Sequence, residues 1–161
     1  MRKALFLSAL ALAACAKQPT EEERRAAVAE VESMQAPPPQ AFGPQAILSP
    51  DIEKNDLYGA GCGFVPDGGE AGAVALAMAD EGYMKRDDEI LRFAADMGSK
   101  ELPYLAHGEY DGRDYAFALV LSQSEGKTVG EEAIDYPASL TVTDSRERVV
   151  YQADGTARCG A

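Results

Sequence analysis

Hydrophobic and polar residues recur with three different periods along the chain. Residues 4–14 form an apolar stretch, with Ser8 within it, behind Arg2 and Lys3, the arrangement of a secretory leader, and the run is well short of the ~20 residues needed to cross a bilayer. From Thr20 to about Gln35 the period is helical. Thr20 and Glu23 form a capping box, and Glu21 and Glu22 sit where the helix dipole favours negative charge. Its apolar stripe of Val28, Val31 and Met34 is too narrow to require a large buried contact. Pro37, Pro38 and Pro39 end the helix, because proline lacks the amide donor and drives the preceding residue out of helical geometry. Residues 36–50 therefore read as an extended, Pro-rich tether.

Beyond Pro50 the period shortens to two. A helical turn is expected over Asp51 to Leu57, and the glycines at 59, 61 and 63 mark backbone that bends sharply or passes close to another strand. Strands are predicted at 62–65, 73–79, 83–85, 90–95, 104–110, 114–122, 139–143, 149–152 and 156–159. The Asp111-Gly112 pair between aromatic-rich runs is the strongest hairpin signal. In the second of those runs Tyr115, Phe117, Leu119 and Leu121 alternate with smaller residues, so one face takes the bulk. Asp154-Gly155 reads as a further turn, and 125–137 as a polar loop. The alanines from Ala71 to Ala79 suit a helix as well as a strand. The whole predicts an all-β domain over 51–161, a small antiparallel sandwich or barrel of about seven to nine short strands.

The apolar leader ends in Leu12-Ala13-Ala14-Cys15, which resembles the lipobox of bacterial lipoproteins. That resemblance implies removal of residues 1–14, a diacylglyceryl thioether on Cys15, and a membrane association that needs no spanning helix. Ala16 stands where the family's inner-membrane retention signal has Asp, which implies an outer-membrane anchor facing the periplasm. The tether would hold the β domain about 40 to 50 Å from the bilayer.

Losing Arg2 and Lys3 from the chain's 15 basic residues leaves 13 against 27 acidic ones, a net charge of −14. Such a charge repels phosphate backbones and anionic headgroups, which excludes nucleic-acid binding and favours a cationic protein or envelope component as partner. Once Cys15 is lipidated, Cys62 and Cys159 are the remaining thiols, and in an oxidising compartment they are expected to pair, pinning the domain's first strand to its last.

Candidate chemistry is sparse. His107 is the single histidine, which excludes a multi-histidine metal site, and beside Gly108 it reads as a surface or turn-lining residue. The carboxylates of Asp87, Asp88 and Glu89 lack calcium-loop spacing, so no metal or cofactor is expected. Glu131, Glu132 and Asp135 could serve glycosidase chemistry only at a fixed separation in a cleft, and no nucleophile elbow or phosphate loop is present. A non-catalytic binding module is therefore expected, with a small envelope hydrolase as an alternative. The candidate recognition surface is the hairpin bearing Tyr110, Asp111, Asp114 and Tyr115, where tyrosines could anchor a partner and carboxylates attract its positive charge.

Leader, acidic β domain and distant cysteines together resemble, in part, the membrane-bound inhibitors of c-type lysozyme, small β-barrels with a disulfide. Gly108-Glu109-Tyr110 is loosely similar to that family's Ser-Gly-x-x-Tyr loop, without its serine and at a shorter spacing. The resemblance implies inhibition of a basic muramidase as an alternative function and assigns no inhibitory residue.

Overall fold

The computed structural model describes residues 19–35, 37–69, 72–123 and 125–161. The leader 1–14 and Cys15 lie outside them. The chain divides into two units, 1–38 and 39–161.

The first unit contributes helix α1, Glu21–Gln35, none of whose residues is buried. Its capping box forms as expected: the Thr20 amide donates to Glu23 Oε2 at 2.7 Å and the Glu23 amide to Thr20 Oγ1 at 3.2 Å. Glu21 pairs with Arg24 at 2.6 Å.

The second unit is a closed antiparallel β-barrel. After α2 (Ser49–Asn55) come β1 (Gly61–Pro66), β2 (Ala75–Met78), β3 (Glu81–Arg86), β4 (Glu89–Ala95), β5 (Glu109–Asp111), β6 (Tyr115–Leu121), β7 (Lys127–Val129), β8 (Ala133–Asp144) and β9 (Val149–Gly160). Eight strands close the ring in the order β1-β2-β3-β4-β5-β6-β8-β9, and β9 returns to β1. The extra strand β7 pairs with the first residues of β8, beyond the point where β6 ends.

Eight strands leave an interior just wide enough for side chains. Phe64, Met84, Phe93, Tyr110, Phe117 and Leu140 fill it. Phe117 stacks on Tyr110 with ring centroids 4.7 Å apart and meets Phe93 edge-on at 5.0 Å. The alanine run is strand, for a packing reason: Ala75 and Ala77 point inward opposite Met84 and Gly82, while Leu76 and Met78 turn outward. A Cβ on Gly82 would lie 2.6 Å from Phe117 Cζ and 2.8 Å from Tyr110 Cδ1, so the stack needs that glycine.

Three expectations are corrected. Residues 125–137 are not a loop: they supply β7 and the start of β8. Pro137 is tolerated because its carbonyl accepts from the Ser122 amide on the side of β8 where β6 stops and β7 has not begun, so its missing donor leaves no gap in a ladder. Asp154-Gly155 is not a turn but mid-strand in β9, where a Cβ on Gly155 would come within 2.2 Å of the Val65 carbonyl oxygen. Residues 104–110 are not one strand: Pro103–Leu105 is a tight turn, and β5 starts only at Glu109.

A second apolar cluster lies outside the wall. Ile47, Leu57 and Tyr83 are its buried members, with Ile52, Leu76, Met78 and Ile90 packed around them, so α2 seats on β2, β3 and β4. Lys85 Nζ donates to both Asp51 oxygens at 2.9 and 3.1 Å and ties helix to wall. The Leu48 amide and that ammonium hold the Asp51 carboxyl below its ordinary value.

The expected tether is only partly a spacer, because residues from Phe42 onward are bound to the barrel. Phe42, Gln45 and Ile47 donate their amides to the carbonyls of Val150, Lys85 and Ala73 at 2.9, 2.8 and 2.8 Å. Phe42 is buried against Tyr115, centroids 4.9 Å apart, and under the guanidinium of Arg86. It thus meets β9, β6 and β3 at one end of the ring and stoppers that mouth.

At the same end the β8–β9 turn is organised by Asp144. It accepts from Arg148 Nε at 2.8 Å and from the amides of Arg146 and Arg148 at 2.9 and 3.0 Å, which holds its carboxyl down to about 2, the Arg148 side chain being the larger cause. Since the folded value lies below the ordinary 3.8, the stabilisation is complete above about pH 4 and disappears as the pH falls toward 2. Thermal melts of Asp144→Asn should therefore lie below those of the wild type at pH 6 and converge with them at pH 2.

Candidate functional site

The structure does not bring the four expected recognition residues onto one surface. The β5–β6 hairpin forms, with the Gly112 amide donating to the Tyr115 carbonyl at 2.9 Å, and Asp111 and Asp114 are exposed on it. Tyr110 is fully buried, a correction to its reading as a surface anchor. Its hydroxyl donates to the Met78 carbonyl at 2.6 Å and accepts from the His107 amide at 2.8 Å, and burial pushes its pKa up. Tyr115 is half-buried and committed to Phe42 and to Arg86, whose Nη1 donates to its hydroxyl. Tyr110→Phe would leave a buried amide and a carbonyl unpaired, at a cost of about 1 to 3 kcal/mol. Urea unfolding should show the loss as a lower midpoint at unchanged slope.

Cys62 and Cys159 are joined, as register partners on β1 and β9, across the seam where the last strand meets the first. His107 is buried rather than on the surface, and its Nδ1 has no hydrogen-bond partner among the described residues. Asp135 takes a two-pronged contact from Arg158, Nε to Oδ1 at 2.7 Å and Nη2 to Oδ2 at 2.9 Å, which lowers its pKa. Glu131 and Glu132 are exposed between β7 and β8. Among the described residues, no group of three or more His, Cys, Asp or Glu is placed to hold a metal.

Clefts line the wall of the barrel, and two openings lie toward its ends. Beside the Phe42 stopper a cavity of about 570 Å³ is lined by Pro44, Gln45, Leu48, Val74, Lys85 and Tyr151, and burial raises the Tyr151 pKa. The other lies at the opposite end, the base, where the β4–β5 loop folds over the ring with Leu102 and Ala106 buried in the main core. This loop turns through Tyr104 and Leu105, both left-handed at φ 59° and 62°, a conformation that side chains disfavour. The turn leaves Leu105 65% exposed, while the Tyr104 hydroxyl donates to the Glu132 carbonyl at 2.9 Å.

At the base end of the β1–β9 seam a cleft of about 420 Å³ opens between α2 and β9. Leu57, Tyr58, Met78, Ala133 and Gly160 line it, Gly61 contributes bare backbone, and Tyr58 is 66% exposed. Arg158 is the one charged lining residue, and Asp135 already holds it. Each wall runs into exposed carboxylates: Asp56 two residues before Tyr58, Asp80 two after Met78, and Glu131 and Glu132 just before Ala133. Sequence reasoning noted the glycines at 59, 61 and 63 but not this cleft, since Tyr58, Met78 and Ala133 meet only when the ring closes.

Comparison with known proteins finds no match: no family model, no curated protein and no solved structure matches the chain.

Proposed function

We propose that this chain is a cell-envelope lipoprotein, anchored to the outer membrane through lipid on Cys15, whose acidic barrel is a non-catalytic binding or assembly module facing the periplasm. The observation that supports this best is the filled interior. Phe64, Met84, Phe93, Tyr110, Phe117 and Leu140 occupy the lumen, so a partner must be recognised from outside. The net charge of −14 left after removal of residues 1–14 favours a cationic surface by long-range attraction. Among the described residues no helix is long and apolar enough to cross a membrane, and the proposed anchor requires none. Affinity capture from crosslinked envelopes should enrich a specific protein or glycan over a control carrying the anchor and α1 alone. Equal recovery from both would refute the module, and an unmodified Cys15 sulfur in intact-mass spectra would refute the anchor.

A second reading is inhibition of a basic muramidase, and the closed barrel with its disulfide agrees with the fold that this resemblance implies. The Gly108-Glu109-Tyr110 segment is not available to carry it, because Tyr110 is sealed in the core. A turbidity assay with c-type lysozyme decides: undiminished lysis at excess chain removes this reading.

A further inference from the structure

We infer that the cleft at the base of the β1–β9 seam is the docking point for a lysine or arginine side chain of a basic partner protein. The inference rests on the binding-module reading and assigns its surface. The cleft has two properties that rarely occur together. Its walls are apolar, from Leu57, Tyr58, Met78 and Ala133, and between them run the bare backbones of Gly59, Gly61 and Gly160. An unpaired charge cannot be buried there, but the methylene stem of a long cationic side chain can lie along such walls while its head stays at the rim.

The rim supplies what that head needs. Asp56, Asp80, Glu131 and Glu132 are exposed and within two residues of the lining, so no more than about 7 Å of chain separates any of them from a wall. The lining's one cation, Arg158, is neutralised by Asp135 and does not repel an incoming charge. An anion would face the rim carboxylates, and a purely apolar group would draw no attraction from them. A partner seated here therefore meets an apolar centre with carboxylates beside it, the arrangement that combines steering with a buried anchor.

Fluorescein-labelled octalysine is the probe, titrated by anisotropy against the full-length chain in detergent. Ala133→Trp, which fills the cleft, should weaken binding about tenfold, the loss of one well-buried contact. Asp56→Asn and Glu132→Gln, on exposed positions that leave the fold intact, should each weaken it about threefold. Asp87→Asn and Asp88→Asn, at the mouth, should leave it unchanged. Equal losses from mouth and rim variants would mean that overall charge alone attracts the peptide, and would overturn the cleft. Full-strength binding to Ala133→Trp, or no binding to the wild type, would do the same. Should Ala133→Trp fail to melt cooperatively, the rim variants decide. The binding-module reading fails separately, in the envelope capture: a partner enriched there but unaffected by the rim variants removes the cleft and leaves the module.

Discussion

Replacing Cys62 and Cys159 together by alanine is expected to lower the melting temperature of the barrel by roughly 12 to 20 °C, from a loss of about 4 kcal/mol. Two properties of the bridge make the effect large. It spans 97 residues of sequence, so it removes much of the freedom of the unfolded chain. It also joins register partners on β1 and β9, the pairing that closes the ring and, of the strand pairings, brings together the most distant segments of chain. Reduction of the wild type should reproduce the variant's melt, and reductant should leave the double variant unchanged. A double variant that melts within a few degrees of the oxidised wild type would show that the seam holds without its covalent bond.

Phe117→Ala should cost about 3 to 5 kcal/mol, the usual range for an aromatic ring removed from a core. Phe117 is nearly fully buried and touches both Tyr110 and Phe93, so its loss breaks two ring contacts and opens a void in the centre of the lumen. The void should not collapse easily, because the facing wall at Gly82 is backbone. Chemical unfolding should show the loss as a lower midpoint. Phe117→Leu, which keeps much of the volume, should recover more than half of it. If Leu and Ala behave alike, the ring geometry rather than the filled volume is what matters.

What could be read from the sequence was local. The Asp111-Gly112 turn and the alternation from Tyr115 to Leu121 fix a hairpin with its large face inward, and the capping pair Thr20 and Glu23 fixes the start of α1. The errors arose where distant chain decides. Gly155 reads as a turn residue until β1 approaches it, and its role is to let the Val65 carbonyl pass. Pro137 reads as a strand breaker until the gap between β6 and β7 is seen. Phe42 and Ile47 sit in a Pro-rich stretch that composition marks as spacer, and only the open mouth of the ring gives Phe42 a place to bury, as only the outer face of β2 to β4 gives one to Ile47. The candidate site failed for the same reason. Tyr110 belongs to an aromatic-rich hairpin by sequence, but strand parity sends it inward, whereas Tyr58 stays outside because it precedes the first strand.

The segment from Phe42 to Ile47 gives the molecule an order of mechanical failure. Tension entering through Pro39 meets three isolated amide bonds, to Val150, Lys85 and Ala73, which yield one after another, while the barrel wall is stitched covalently at its seam. A load on the leash therefore uncorks the barrel before it tears it. With the chain anchored as proposed, traction on the barrel would be converted into solvent access to Tyr151 and Val74, leaving the ring intact.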